Sequence, residues 1–138
     1  LVREDTRFAL AEDRTVSVFA PVTEAGTTNE LGLTVLAAVG QTEVLITGDM
    51  EQEGELRLVE SIPLPEVEIL VAGHHGSETS TTPELLETVQ PRLALISVGQ
   101  NNSYGHPSYD TLVRLDEAGA AIYRTDLYGT IEVQWKEN

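Results

Sequence analysis

Cysteine is absent from this sequence, which excludes disulfides, thiolate zinc sites and a cysteine nucleophile. Basic residues are also scarce. Lys136 is the only lysine, and Lys and Arg together total 8 against 23 Asp and Glu. The net charge of −15 is the opposite of the basic stripe expected of a duplex-DNA-binding domain. It is typical of a solvated acidic surface, although a site whose carboxylates are neutralised by metal ions would also produce it.

Long apolar runs are missing too. The run at residues 35–39 is far shorter than the ~20 residues that a membrane span requires, and no signal peptide is visible. Hydrophobic residues nevertheless make up 41% of the 138 residues, which is too many for a disordered acidic tail. Length and composition therefore predict one domain, 1–138, with a core of its own.

The N-terminal region, residues 1–46, is predicted to consist of strands joined by turns and loops. β-prone stretches bounded by polar or glycine-containing turns predict strands at 8–10, 15–19, 33–39 and 42–46. The last two flank Gly40-Gln41, which suits a two-residue hairpin. Residues 23–29 are predicted to be loop.

Residues 42–118 repeat one pattern three times: an apolar strand, a polar turn that contains glycine, and a segment of helix length. Strands are predicted at 42–46, 67–72 and 93–98, and helical segments before Pro63, at 83–89 and at 109–118. Thr82 and Ser108 are predicted N-caps.

These strands are continuously apolar rather than alternating, which is typical of a parallel sheet covered on both faces. An antiparallel edge hairpin is predicted over 120–135. The fold class is therefore α/β, with a mixed sheet built from βα units and an antiparallel hairpin.

The polar turns that follow the three strands hold the residues with the most chemistry. Asp49 follows the first strand, the pair His74-His75 follows the second, and His106 follows the third; no other histidine occurs. The carboxyl ends of neighbouring parallel strands meet at one edge of a sheet, where ligands bind. We therefore expect these four side chains to converge.

Each of these residues also has a purely structural interpretation. Asp49 suits a bridging ligand of divalent metal ions, and the alternative is that it caps the acidic helix that follows it. The pair His74-His75 is bracketed by glycines, which favours a site: one ring would bind metal while the other donates a proton or contacts substrate. His106 either joins the same site or lies in an exposed loop.

Polar residues near these turns are candidate substrate contacts. Ser77 begins a loop rich in hydroxyl groups, and Asn102 and Tyr104 lie just before His106. They could bind a phosphate or a substrate backbone. The alternative is that they only shape and cap their loops.

Several motifs in order resemble one known family. They are N-E at 29–30, L-I-T-G-D at 45–49, G-H-H-G-S at 73–77, I-S-V-G at 96–99, N-S-Y-G-H-P at 102–107 and R-T-D at 124–126 with Gly129. Together they resemble the C-terminal part of the metallo-β-lactamase-like domain of the ComEC competence proteins. That family passes transforming DNA across the bacterial membrane.

The resemblance implies an αββα metallo-hydrolase with a two-metal site, proposed in that family to degrade the DNA strand that is not imported. Asp49 matches the bridging aspartate of the family, His74 and His75 match a metal-ligand or acid–base position, and His106 matches a further histidine of the pattern. We expect Asp49 and His75 to bind metal and His74 and His106 to be catalytic, although the roles of the three histidines stay open. Ser77, Asn102 and Tyr104 become candidate substrate contacts. The expected cofactor of the intact domain is a divalent metal, zinc or manganese.

The family's principal ligand motif, H-x-[HD]-x-D-H, is missing from this sequence, whose first histidine is His74. We therefore expect the C-terminal half of the αββα domain, inactive by itself and without bound metal. Expected partners are DNA through a parent protein, the remaining half of the domain, the parent's membrane channel, and a second copy of the fragment. The parent is expected in the bacterial cell membrane, with this domain soluble and extracytoplasmic.

Other functions remain open at this point. A degenerate, non-catalytic metallo-β-lactamase-like binding module would share the motifs, and so would another hydrolase of the superfamily, such as a phosphorylcholine esterase-like enzyme. An acidic receiver-like signalling module ranks lower. Such a module needs a lysine at a late strand end, whereas Lys136 lies near the end of the chain.

Overall fold

The computed structural model describes residues 4–21, 29 and 31–134. Seven strands form one sheet: β1 (Thr6–Ala11), β2 (Arg14–Phe19), β3 (Thr34–Val39), β4 (Thr42–Ile46), β5 (Ile69–Val71), β6 (Leu93–Ile96) and β7 (Ala121–Arg124). Their order in the sheet equals their order in the sequence. Pairing is antiparallel from β1 to β4 and parallel from β4 to β7.

Helices connect the parallel strands: α1 (Gln52–Ser61), α2 (Pro83–Val89), α3 (Tyr109–Glu117) and, after β7, the short α4 (Thr125–Tyr128). A single 3₁₀ turn, Gly73–Gly76, follows β5. The side chains of Thr82 and Ser108 accept backbone N–H bonds at the starts of α2 and α3. The predicted strands, N-caps and α/β class are confirmed, although β5 and β6 are shorter than expected.

The C-terminal hairpin predicted over 120–135 is wrong. β7 pairs in parallel with β6, and the chain then enters α4 instead of turning back. The physical reason is the hydroxyl of Thr125, which bonds to both the N–H and the carbonyl of Val98 and draws the chain across the end of β6. Residues 131–134 belong to no helix or strand. Trp135 and the predicted loop at 23–29, apart from Asn29, lie outside the described residues.

One face of the sheet carries the hydrophobic core. Leu45, Leu70 and Ala94 are paired across β4, β5 and β6 and are fully buried. Residues from all three crossover helices pack with them: Val59, Leu85, Leu86, Val89, Leu112 and Leu115. Because the parallel strands follow one another in a single direction, right-handed crossovers place α1, α2 and α3 on this same face. We call it the covered face.

The opposite face, here called the open face, is apolar but poorly covered. Register places two rows of side chains on it: Thr6, Val18, Val35, Ile46, Val71, Leu95 and Tyr123, and Phe8, Val16, Ala37, Val44, Ile69, Leu93 and Ala121. Only Ile69 is buried; Phe8 is 50% exposed, Tyr123 45% and Ile46 37%. Among the described residues, Tyr128 of α4 packs against Tyr123 at one end of these rows, with 5.7 Å between the ring centroids. This surface is larger and more continuous than the scattered apolar residues usual on proteins.

The strands β1 and β2 show the same asymmetry more clearly. On their covered-face side they carry Arg7, Thr15 and Ser17 together with Ala9 and Phe19, whereas Phe8, Val16 and Val18 lie on the open face. The more apolar side of β1 and β2 is therefore the one on the open face. Within the described ranges, 4–21, 29 and 31–134, no helix is both long and apolar enough to cross a bilayer.

Candidate functional site

The turns after β4, β5 and β6 lie side by side and are joined by backbone hydrogen bonds. The carbonyl of Gly48 accepts the N–H of His74 at 2.9 Å, and the carbonyl of Gly76 accepts the N–H of Ser108 at 2.8 Å. Parallel pairing of the three strands produces this arrangement, because it brings their carboxyl ends to one edge. The turns carry Asp49, His74, His75 and His106, which are brought together as expected.

The His74-His75 pair has an unusual backbone that its neighbours make possible. Both residues are left-handed, with φ of 47° and 58°, a conformation that is uncommon outside glycine. A Cβ at Gly73 would lie 3.0 Å from Thr47 Oγ1 and 3.2 Å from a Glu55 oxygen, and one at Gly76 would lie 2.6 Å from Pro107 Cβ. The G-H-H-G motif therefore forms a tight turn in which a side chain at Gly76 would clash with Pro107 and one at Gly73 would crowd Thr47 and Glu55.

His75 lies between a carbonyl and a carboxylate. Its Nδ1 is 2.7 Å from the carbonyl oxygen of Ser97, and its Nε2 is 3.8 Å from Asp49 Oδ1. Both side chains are about half exposed, at 53% and 54%. The N-cap position of α1 is Glu51, not Asp49, so Asp49 is not the capping residue of that helix.

His74 points to the other side of the turn. Its Nδ1 is buried, lies 3.5 Å from Glu51 Oε1 and has no hydrogen-bond partner. Its ring centroid is 5.6 Å from that of His106 and 6.3 Å from that of His75. The prediction that the adjacent histidine side chains have different surroundings is confirmed.

His106 joins this cluster and is half-buried rather than exposed in a loop. Burial and the neighbouring His74 and His75 lower the pKa of His106, while Glu78 opposes that shift. The ring is therefore neutral around pH 7, which suits it to accept a proton more than to donate one. Tyr104 stacks on it at 5.9 Å between centroids and is 81% exposed.

The loop from Ser77 to Thr82 is fixed from two sides. From inside, the fully buried Glu55 accepts the N–H groups of Thr81 at 2.7 Å and Thr82 at 2.8 Å. From outside, Arg114 on α3 donates to the carbonyls of residues 78, 80 and 81 at 2.9–3.0 Å. Burial raises the pKa of Glu55, and the two backbone N–H groups and Arg114 oppose the shift. These bonds immobilise the segment that continues from the histidine pair.

The three candidate substrate contacts differ in their access to solvent. The Ser77 hydroxyl is buried and bonds within its own loop, at 3.1 Å from Thr79 Oγ1. The Asn102 amide is used for the loop before His106: it donates to the carbonyls of Gly99 and His106 and accepts the N–H groups of Tyr104 and His106. Tyr104 is the most exposed of the three.

Metal-binding capacity is limited to part of a site. Among the described residues, no three His, Asp or Glu side chains converge closely enough to hold one ion. Asp49 Oδ1 and His75 Nε2 nevertheless face each other at 3.8 Å, which is less than twice a zinc–ligand bond of about 2.0–2.2 Å. One ion can therefore reach both atoms, and the remaining ligands would have to come from elsewhere.

Sequence reasoning missed Glu51, Glu55 and Arg114. The acidic start of α1 looked like a solvated surface, and Glu51 there lies beside His74. For Glu55 a signal existed: it precedes Leu58 by three and Val59 by four residues, so it shares their apolar helix face. Arg114 gave no signal, because its partners are backbone carbonyls more than 30 positions earlier.

Comparison with known proteins identifies relatives but no matching family model. The chain is 37% identical over 108 residues to ComE operon protein 3 of Bacillus subtilis (strain 168), covering 78% of this chain and 14% of that protein. It is 35% identical over 107 residues to Recombination protein 2 of Haemophilus influenzae, covering 78% and 13%. It is 37% identical over 94 residues to Competence protein ComA of Neisseria gonorrhoeae, covering 67% and 14%. The alignments thus span about one seventh of these relatives.

Proposed function

Because the chain is related over most of its length to one segment of the ComEC-type competence proteins, we propose that it is part of a DNA-uptake protein of natural competence. Within that protein it supplies one half of a metal-dependent hydrolase that degrades the DNA strand that is not transported. The observation that carries this proposal is the convergence of Asp49, His74, His75 and His106 at the carboxyl ends of β4 to β6.

Each residue then has a chemical task. Asp49 and His75 would hold a zinc or manganese ion, which when bound polarises a phosphoryl oxygen and lowers the pKa of water. His106, with its lowered pKa, accepts a proton. The side chain of His74 is 25% exposed and its ring centroid lies 5.6 Å from that of His106, so His74 can contact substrate or pass a proton beside His106. Tyr104 is exposed next to His106 and offers a planar surface to a nucleotide.

The open face supports the proposal that this is half of a domain. Two apolar rows cross the whole sheet, and among the described residues only one of their side chains is buried; a sheet with one apolar face must bury it against another layer. We assign that place to a second β-sheet from the rest of the protein, which would also supply the missing metal ligands. The parent protein would lie in the bacterial cell membrane, with this domain outside the cytoplasm.

The test compares the 138-residue chain with a longer version that contains an H-x-[HD]-x-D-H segment. With Mn²⁺ or Zn²⁺ and single-stranded DNA, the longer version should release nucleotides and the 138 residues alone should not. Asp49→Asn should reduce that activity about 100-fold, whereas Asp116→Asn, a matched change on the distant α3, should leave it unchanged. If the 138-residue chain alone hydrolyses DNA and Asp49→Asn abolishes that activity, the proposal that this chain holds only half of the site is wrong.

A non-catalytic binding module is the second candidate. It is favoured by one observation, the absence of a three-ligand cluster among the described residues. If the longer version binds DNA and stays inactive with either metal, and if Asp49→Asn does not alter its binding, this second function is correct.

A further inference from the structure

The R-T-D motif at residues 124–126 lies outside the three turns of the candidate site, and the proposed function gives it no task. Its central side chain is used in a specific way. The hydroxyl of Thr125 accepts the N–H of Val98 and donates to the carbonyl of Val98, each at 2.8 Å. One side chain therefore holds both polar groups of a single backbone position just beyond β6.

This contact is not a helix cap. The N-cap position of α4 is Arg124, and no side chain caps that helix. Arg124 and Asp126 pair through two bonds of 3.0 and 2.6 Å, which brace the backbone on both sides of Thr125. The hydroxyl is thus directed across the sheet edge toward the turn after β6.

The turn that Thr125 holds also holds His75. Val98 follows Ser97, whose carbonyl oxygen lies 2.7 Å from His75 Nδ1. A carbonyl oxygen can only accept a hydrogen bond, so Nδ1 carries the ring proton. In the neutral ring, Nε2 then keeps its lone pair, and Nε2 is the atom that faces Asp49 at 3.8 Å.

We infer that Thr125 is a positioning residue for His75. By fixing Val98, it keeps the Ser97 carbonyl on Nδ1 and so directs the Nε2 lone pair toward Asp49. Carbonyls that fix the tautomer of a ligating histidine commonly serve metal sites in this manner. The inference rests on the proposed function only in one respect, namely that Nε2 of His75 binds a metal ion.

The test reads the tautomer directly, by ¹⁵N NMR of the imidazole rings in the 138-residue chain. Thr125→Val removes the hydroxyl and keeps the shape of the side chain, so the Nδ1–H form of His75 should lose its dominance. The weak Zn²⁺ affinity of the Asp49–His75 pair, followed by titration, should fall about 10-fold. Thr125→Ser, which keeps the hydroxyl, should restore both. Thr88→Val, which removes an exposed hydroxyl bonded within α2, is the matched control and should change neither.

Thr125→Ala replaces the valine variant if the latter does not fold, as judged by amide dispersion. The inference is overturned if wild-type His75 carries its proton on Nε2. It is equally overturned if tautomer and affinity stay unchanged in a folded Thr125→Val or Thr125→Ala chain. Neither result needs turnover. If a longer version of the protein has the Nδ1–H form of His75 but no hydrolase activity, the proposed function is contradicted and the inference about Thr125 is not.

Discussion

The two faces of the sheet are built from neighbouring residues of the same strands, yet they differ in completeness. Leu45 and Leu70 on the covered face are fully buried under three helices, while Ile46 and Tyr123 on the open face are 37% and 45% exposed. Alternation along a strand sends successive side chains to opposite faces. Strands β4, β5 and β6 therefore contribute side chains both to one closed core and to one incompletely covered surface.

The covered face stabilises the chain by itself, whereas the open face is available for contact with a partner. The covered face and its helices also carry the supports of the candidate site, Glu55 on α1 and Arg114 on α3. Changes on the two faces should therefore have different consequences.

The largest contrast should come from matched leucine truncations. Leu45→Ala, on the covered face, should lower the free energy of unfolding by about 2–5 kcal/mol, because it leaves a cavity in a closed core. Leu95→Ala, on the half-buried open face, should cost less than about 1 kcal/mol in the 138-residue chain. Chemical denaturation measures both values.

The same two truncations can be compared in a longer version of the protein. If a second sheet covers the open face there, Leu95→Ala should become as costly as Leu45→Ala. In the 138-residue chain alone, light scattering should detect self-association through the uncovered face, and Leu95→Lys should reduce it. Equal penalties for both truncations in the short chain, or a strictly monomeric wild type, would contradict the unfinished surface.

An intermediate effect should come from Arg114, which ties the loop at 77–82 to the covered side. Arg114→Met leaves the carbonyls of residues 78, 80 and 81 without their charged donor, and should destabilise the chain by about 2–3 kcal/mol. Faster amide exchange should be confined to that loop.

Arg57→Met is the matched control. Arg57 pairs with Glu53 on the exposed side of α1, and exposed pairs of this kind contribute less than about 0.5 kcal/mol. If Arg57→Met is as destabilising as Arg114→Met, the loop is not held in the way described here.

The smallest effect should be the pH dependence introduced by Glu55. Burial raises its pKa in the fold above the ordinary value of 4.5, so the folded state binds its proton more tightly than the unfolded state. The tighter binding of this proton stabilises the folded state. The stabilisation is fully present below pH 4.5 and is lost as the pH rises through the pKa of Glu55 in the fold. Over that range the free energy of unfolding falls by at most about 1.4 kcal/mol per pH unit.

Glu55→Gln should remove that slope from the pH profile of unfolding, and Glu53→Gln, a matched change at an exposed acid of the same helix, should not. A wild-type slope that survives Glu55→Gln would assign the pH dependence to other carboxylates.

Much of the architecture could be predicted because it depends on local patterns. The glycine turn at Gly40, the caps at Thr82 and Ser108 and the apolar strands are encoded by neighbouring residues, and they appear as predicted. The hairpin at 120–135 failed because the partner of β7 was decided by β6 and by the contact of Thr125 with Val98, 27 residues away. Burial of Glu55 is likewise set by loop N–H groups that are distant in sequence.

The sequence by itself determined the fold class, the βα repeats and the placement of Asp49, His74, His75 and His106 at strand ends, since periodicity and turn residues are local. Only the tertiary structure decided which side chains meet. It separated His74, beside Glu51, from His75, beside Asp49, and it showed that one apolar face of the sheet is only partly covered by the described residues. The reason is that contacts between turns depend on strand order and register, which no local pattern encodes.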